Sequence, residues 1–130
     1  MKKLLAIVLA AVMAFGVFAF TGCSDKTGKS DFKVGAILIG DENEGYTYAH
    51  IQGIEAAKKA CNLSDDQIVY KYIVPENEKC YEAAIDLVDQ GCKLIIANSF
   101  GHESYLIRAA GEHPDVIFCH ATGKTAAKHT

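Results

Sequence analysis

Positive charge is scarce in this sequence: 13 Lys and Arg stand against 16 Asp and Glu over 130 residues, a formal net charge of −3. Setting aside the first 22 residues, which include Lys2 and Lys3, leaves 11 basic against 16 acidic residues, or −5. That balance argues against nucleic acid as a partner, which needs a basic face to meet phosphates. The chain has no Gly-x-Gly-x-x-Gly, so a dinucleotide site has no support. "TGKTAAKHT" near the end resembles a phosphate loop only in part. The motif needs a glycine five residues before Gly123, and Phe118 stands there. No two cysteines form Cys-x-x-Cys, and Cys61, Cys80, Cys92 and Cys119 are spaced for no zinc pattern. Internal repeats are also absent. What is left after these exclusions is a small acidic domain with no expected cofactor and no expected metal.

The first residues are not fold. Lys2 and Lys3 precede an uncharged run from Leu4 to Phe20, and "FTGC" closes it at Cys23. A short basic start, an apolar stretch and a small-residue cleavage site describe a secretory signal, residues 1–22. Cys23 after small residues resembles a bacterial lipobox, which implies a diacylated Cys23 as the mature N-terminus. The alternative, a plain membrane anchor, would have only 17 apolar residues, at the short end for spanning. Residues 23–32 are small, polar and charged and read as a tether. Export would permit disulfides among the four remaining cysteines. The spacing assigns no pairing, and the simpler reading takes them as small buried hydrophobes.

From Lys33 onward two periodicities alternate. "KVGAILIG" is a continuous apolar strand, and "TYAHIQGIEAAKKACN" follows with a helical stripe at Ile51, Ile54, Ala57 and Cys61. "QIVYKYIVP" is a second strand, closed by Pro75. Asn77 is a suitable helix cap, with Glu78 in the first turn behind it. The helix "EKCYEAAIDLVDQ" places Tyr81, Ala84, Ile85 and Val88 on one face, and Gly91 stops it. "KLIIANSF" is a third strand, "ESYLIRAAGEH" a third helix ended before Pro114, and "DVIFCHATG" a fourth strand. Apolar strands separated by helices indicate an α/β fold with a parallel sheet covered on both faces. Right-handed crossovers leave few topologies, of which β-α-β-α-β-α-β with strand order 2-1-3-4 is the expected one.

In such sheets ligands bind beyond the carboxyl ends of the strands, where neighbouring connections leave to opposite faces. In the order 2-1-3-4 the first and third strands are neighbours. "GDENEGY" after the first and "SFGHES" after the third therefore share that crevice. Each leads into a helix start, where free backbone N–H groups can hold an oxygen-rich ligand. Gly45 is expected to lend the backbone freedom for the turn into the first helix. Asp41, Asn43 and Glu44 would exchange hydrogen bonds with ligand hydroxyls. Tyr46 and Phe100 would offer aromatic faces, and Ser99 with the Gly101 backbone would complete the wall. A second reading from another class is an enzyme of flavodoxin-like architecture that uses the acidic loop 41–44, since clustered carboxylates can act as acid and base or hold a hard cation. No nucleophile–base pair is visible, and His50, His102, His113 and His120 are scattered as surface or capping histidines would be.

Six stretches in order carry a resemblance: Gly45 to His50, Gln52–Gly53, Pro75–Asn77, Gln90–Gly91, Ser99–Gly101 and Ala121–Gly123. Together they resemble the basic membrane protein family of substrate-binding lipoproteins of ABC transporters, which includes purine-nucleoside-binding members. Tyr46 stands where that family often has tryptophan or phenylalanine, and the acidic loop is one residue shorter than in many members. The resemblance implies a non-enzymatic solute-binding protein, lipid-anchored on the extracytoplasmic face of the cell membrane. It implies a small-molecule solute such as a nucleoside, and an ABC permease and ATPase as partners. It further implies two lobes with the ligand between them, of which residues 33–130 would be the first.

Overall fold

Strand β1 (Lys33–Ile37) forms where five residues without a turn signal include Val34 and Ile37, and four of the five are buried. The computed structural model describes residues 31–128 and 130. The apolar run 4–20 and Cys23 lie outside the described residues, so the signal and lipidation readings have no structural counterpart here. Helix α1 (Gly45–Ala60) follows β1, then come strand β2 (Ile68–Lys71), helix α2 (Glu78–Asp89) and strand β3 (Cys92–Ala97). Helix α3 (Glu103–Glu112) and strand β4 (Ile117–His120) complete the unit. Short 3₁₀ turns at Asp65–Gln67 and Phe100–His102 precede β2 and α3.

The four strands make one parallel sheet in the order β2-β1-β3-β4, as expected from the alternation of periods. Val34 pairs with Ile68 and Leu94, and Ile37 pairs with Lys71 and Ala97. Each strand is shorter than its apolar run. The residues beyond it, such as Leu38 and Ile39 after β1, turn into the loops of the carboxyl edge.

The core lies on one face of the sheet. Ile37, Ile95, Ala97 and Phe118 pack there against Cys80, Ala84 and Leu87 of α2 and against Leu106, Ala109 and Ala110 of α3. The centre of the α2 stripe is therefore Cys80, Ala84 and Leu87. Tyr81, Ile85 and Val88, expected at its centre, flank it and are only partly buried. Leu87 lies so close to β1 that a Cβ on Gly35 would come within 2.7 Å of it, so glycine there sets the helix-to-sheet distance. Gly91, with φ +84, ends α2 in the left-handed conformation that glycine adopts at least cost. Asn77 caps the start of α2 by accepting from the Lys79 N–H at 3.0 Å.

Among the described residues the other face carries α1 alone. Thr47 is the one residue of α1 that is fully buried, and Ile51 and Ile54 are half-buried, while Ala57 and Cys61 of the expected stripe are exposed. Toward β4 the cover fails: Ile117 is 57% exposed and Cys119 is exposed. Helices thus stand on both faces of the sheet, as expected, and the face under α1 is the more sparsely covered. The four described cysteines are all free thiols. Cys80 and Cys92 are buried as small hydrophobes, and Cys61 and Cys119 are not.

Candidate functional site

All four strands run toward one edge, and every loop beyond it is fastened by a carboxylate or an amide. The fastening starts at the end of β3 with Asn98, which is 1% exposed. Its Oδ1 accepts from the Ile39 N–H at 2.9 Å, and its Nδ2 donates to Thr47 Oγ1 at 3.4 Å. One buried amide thereby joins the ends of β1 and β3 to the start of α1. A buried polar side chain is stable there because its donor and acceptor groups find partners.

The acidic loop is ordered from within. Asp41 Oδ1 accepts from the Asn43 N–H at 2.9 Å and from Asn43 Nδ2 at 3.2 Å, a turn of the kind Asp favours. Its second carboxylate oxygen accepts no hydrogen bond from the described residues, and neither does the exposed Glu42 carboxylate, so the loop keeps acceptors that its own fold does not use. Glu44 has a different fate. It is the N-cap of α1, and its two oxygens accept from the Tyr46 N–H at 2.8 Å and the Thr47 N–H at 2.7 Å. Those bonds, Thr47's first, hold the Glu44 carboxyl below its ordinary range. Gly45 sits in the first turn of α1 at an ordinary φ, and a Cβ there would touch nothing. The expected need for glycine freedom at this turn is therefore not met, because the cap by Glu44 makes the turn.

Tyr46 leans over the end of β3. Its phenol donates to the Asn98 carbonyl, and its ring meets His50 edge-on at 4.7 Å between centroids. The ring remains 43% exposed, and Phe100 on the neighbouring loop is 53% exposed. Two aromatic side chains thus stand exposed at the carboxyl edge. Ser99 and Gly101 are engaged by a residue that the sequence reading passed over. Glu76 Oε1 accepts from the Ser99 hydroxyl and from the Gly101 N–H at 2.8 Å. The Ser99 bond first, then the Gly101 N–H, keep the Glu76 carboxyl low. A Cβ on Gly101 would run into the Glu76 side chain, so glycine is needed for this approach. The fourth loop is held in the same manner. Glu103 Oε1 accepts from the Lys124 N–H at 2.6 Å and from the Thr125 N–H.

The free helix-start donors expected from the topology are consequently used inside the chain, by Glu44 and Glu76. Among the described residues no three His, Cys, Asp or Glu side chains converge as a metal site, so Asp41, Glu42 and Glu44 do not form a cation cage. His102 departs from the expectation of a surface histidine. It is fully buried, its Nε2 lies 3.0 Å from the Val74 carbonyl, and burial pushes its pKa down. Asn98, Glu76 and His102 are supporting residues whose roles the sequence reading did not assign. Asn98 carried a signal, a polar residue at the end of an apolar strand beside the crevice. Glu76 carried one too, in the motif Pro75–Asn77.

No protein-family model matches the chain. It is 36% identical over 98 residues to a purine-binding protein from Brucella abortus (strain 2308), a match that covers 72% of this chain. It spans only 27% of that relative. Two solved structures share the fold. A transcriptional activator of the comK gene from Bacillus halodurans superposes with a TM-score of 0.63 at 21% identity, over 73% of this chain and 31% of that one. An ABC transporter solute-binding protein from Conexibacter woesei DSM 14684 gives a TM-score of 0.56 at 20% identity, over 67% and 28% respectively. The motif resemblance, the 36% identity and the 2-1-3-4 sheet agree, and this chain is a lobe of the substrate-binding-protein type.

Proposed function

We infer that the chain is the solute-reading lobe of an extracytoplasmic binding lipoprotein that serves an ABC importer, with a hydroxylated solute such as a nucleoside as ligand. The observation that carries this reading is the edge formed by β1 and β3. There the loop after β1 carries an Asp41 oxygen that the described residues leave without a donor and leads to the exposed Tyr46, the loop after β3 carries the exposed Phe100, and Asn98 and Glu76 fix these loops from behind. Asp41 and Asn43 would meet the sugar hydroxyls, and Tyr46 and Phe100 the flat base. Glu44 serves as a positioning residue, since its cap sets where Tyr46 begins. Ser99 and Gly101 form the wall that Glu76 holds. The similarity to a purine-binding protein supports the nucleoside class.

The action is capture and release, with no covalent step. An acylated Cys23 would tether the lobe to the membrane, since two acyl chains give stable anchoring where one does not. The permease and ATPase of the importer would receive the solute. Incubation with a mixture of nucleosides, followed by mass spectrometry of what stays bound, tests the reading. Retention of an unchanged nucleoside supports it, and a converted product would instead establish an enzyme.

A further inference from the structure

The loop after β2 contains a backbone conformation that nothing in its own packing demands. Ile73 has φ +54, in the left-handed region that β-branched residues avoid because Cβ crowds the backbone. Its side chain gains little in return, being 66% exposed. The hydrogen bonds show how it is imposed. Leu38 donates to the Lys71 carbonyl at 2.8 Å, which in a regular parallel ladder would pair the Leu38 carbonyl with the Ile73 N–H. That carbonyl accepts from Val74 instead, at 2.9 Å, and the Ile73 N–H reaches on to the Gly40 carbonyl at 3.1 Å. One extra residue is thus bulged out beyond the end of β2 and stapled to Gly40, the residue before the acidic loop. Bulges next to binding sites commonly re-aim a side chain, and strained backbone that persists is a pointer to function. Tyr72 beside it is 43% exposed and stacks on Tyr70 at 5.4 Å.

We propose that Ile73 is an apolar contact for the flat part of the solute, a specificity residue that extends the crevice from the β1 and β3 loops to the β2 loop. This rests on the solute-binding reading above. The bulge fixes the Ile73 backbone against Gly40, the residue before Asp41, and leaves its side chain exposed at this edge, within reach of a ligand bound by Asp41. Asp41 and Asn43 then read hydroxyls, and Ile73 selects for an apolar or aromatic group and against a bare sugar.

The test uses the full-length chain with labelled isoleucine δ-methyl groups and backbone amides, titrated with inosine, adenine and D-ribose. The Ile73 methyl should shift with inosine and adenine and not with ribose. Ile73→Gly, which removes the side chain and tolerates the left-handed backbone, should weaken adenine and inosine by about 5- to 30-fold. Its unfolding temperature should be unchanged or raised, and Ile73→Val should retain binding. If the amides of Asp41 and of residues 98–102 respond while the Ile73 methyl does not, or if Ile73→Gly binds as the parent does, the proposal is wrong and the solute-binding reading stands. A lower unfolding temperature for Ile73→Gly with binding intact would make the bulge a structural feature and also overturn the proposal. If no residue responds to any of the three probes, the nucleoside reading itself fails, and the role of Ile73 falls with it.

Discussion

The core face under α2 and α3 and the rim of loops at the carboxyl edge are built on opposite principles. The core face is apolar and closed: Ile37, Leu87, Ile95, Leu106 and Phe118 are 0% exposed, and rotamer fit and buried area hold it. The rim is polar and open. Its order comes from carboxylates and one amide that take up backbone N–H groups, and its exposed surface is aromatic and aliphatic, at Tyr46, Tyr72, Ile73 and Phe100. The lesson is a division of labour. Stability resides in side chains that no ligand could reach. The rim spends most of its polar groups on holding shape and leaves a few carboxylate oxygens, on Asp41 and Glu42, without such partners among the described residues.

The largest expected effect breaks the first half of that contrast. Phe118→Ala opens a cavity at the centre of the core face and should cost about 3–5 kcal/mol of stability. Denaturant unfolding would show it as a lower midpoint with little change in slope. The second effect belongs to the rim. In a form of the protein that binds solute, Tyr46→Ala should weaken binding by about 5- to 150-fold, the loss of roughly 1–3 kcal/mol of contact. Tyr46→Phe keeps the ring and loses the bond to the Asn98 carbonyl. It should leave affinity nearly unchanged and lower stability by about 1 kcal/mol. Calorimetric titration and thermal melting of the two variants separate contact from support.

Acid should also divide the two regions. Glu44, Glu76 and Glu103 have folded pKa values depressed by the N–H and O–H groups they accept from. Their contribution is full above the ordinary glutamate pKa of about 4.3 and is lost as pH falls through the depressed values. His102 acts earlier. Burial lowers its pKa, so the unfolded chain binds more protons below about pH 6.5 and stability falls with pH from there. Hydrogen exchange should therefore show protection at Tyr46, Thr47 and Gly101 falling in acid before protection in β1 and β3 does. The smallest effect is on the sparsely covered face. Ala57→Ser, at an exposed position of α1, should change stability by no more than about 0.5 kcal/mol.

The sheet was legible from the sequence because its signal is local and repeated. Apolar runs such as "KLIIANSF" alternate with helical stripes, and handedness then leaves few strand orders. The adjacency of the β1 and β3 loops followed from that order. The use of individual rim residues was not legible, because it depends on partners far away in sequence. Glu44 looks like any loop acid until Tyr46 and Thr47 turn their N–H groups toward it. Glu76 meets Ser99 and Gly101 more than twenty residues on, at separations no periodicity encodes. The stripe of α2 was rotated for a similar reason. Tyr81 and Val88 have apolar bodies but sit at the margins, while Cys80 and Leu87 meet the sheet. The bulge at Ile73 has no sequence signal at all, since isoleucine is among the last residues expected at a positive φ.

The central claim, that Asp41 of the acidic loop reads a solute, is tested most directly by Asp41→Ala. The measurement is a titration of inosine into the isotope-labelled parent and variant, followed through backbone amide shifts. The account predicts shifts in the parent concentrated at residues 40–47 and 98–102, and a loss of about 5- to 150-fold in affinity in the variant with its unfolding temperature unchanged. Equal affinity in parent and variant, with both folded, would contradict it and reduce the loop to a solvated turn.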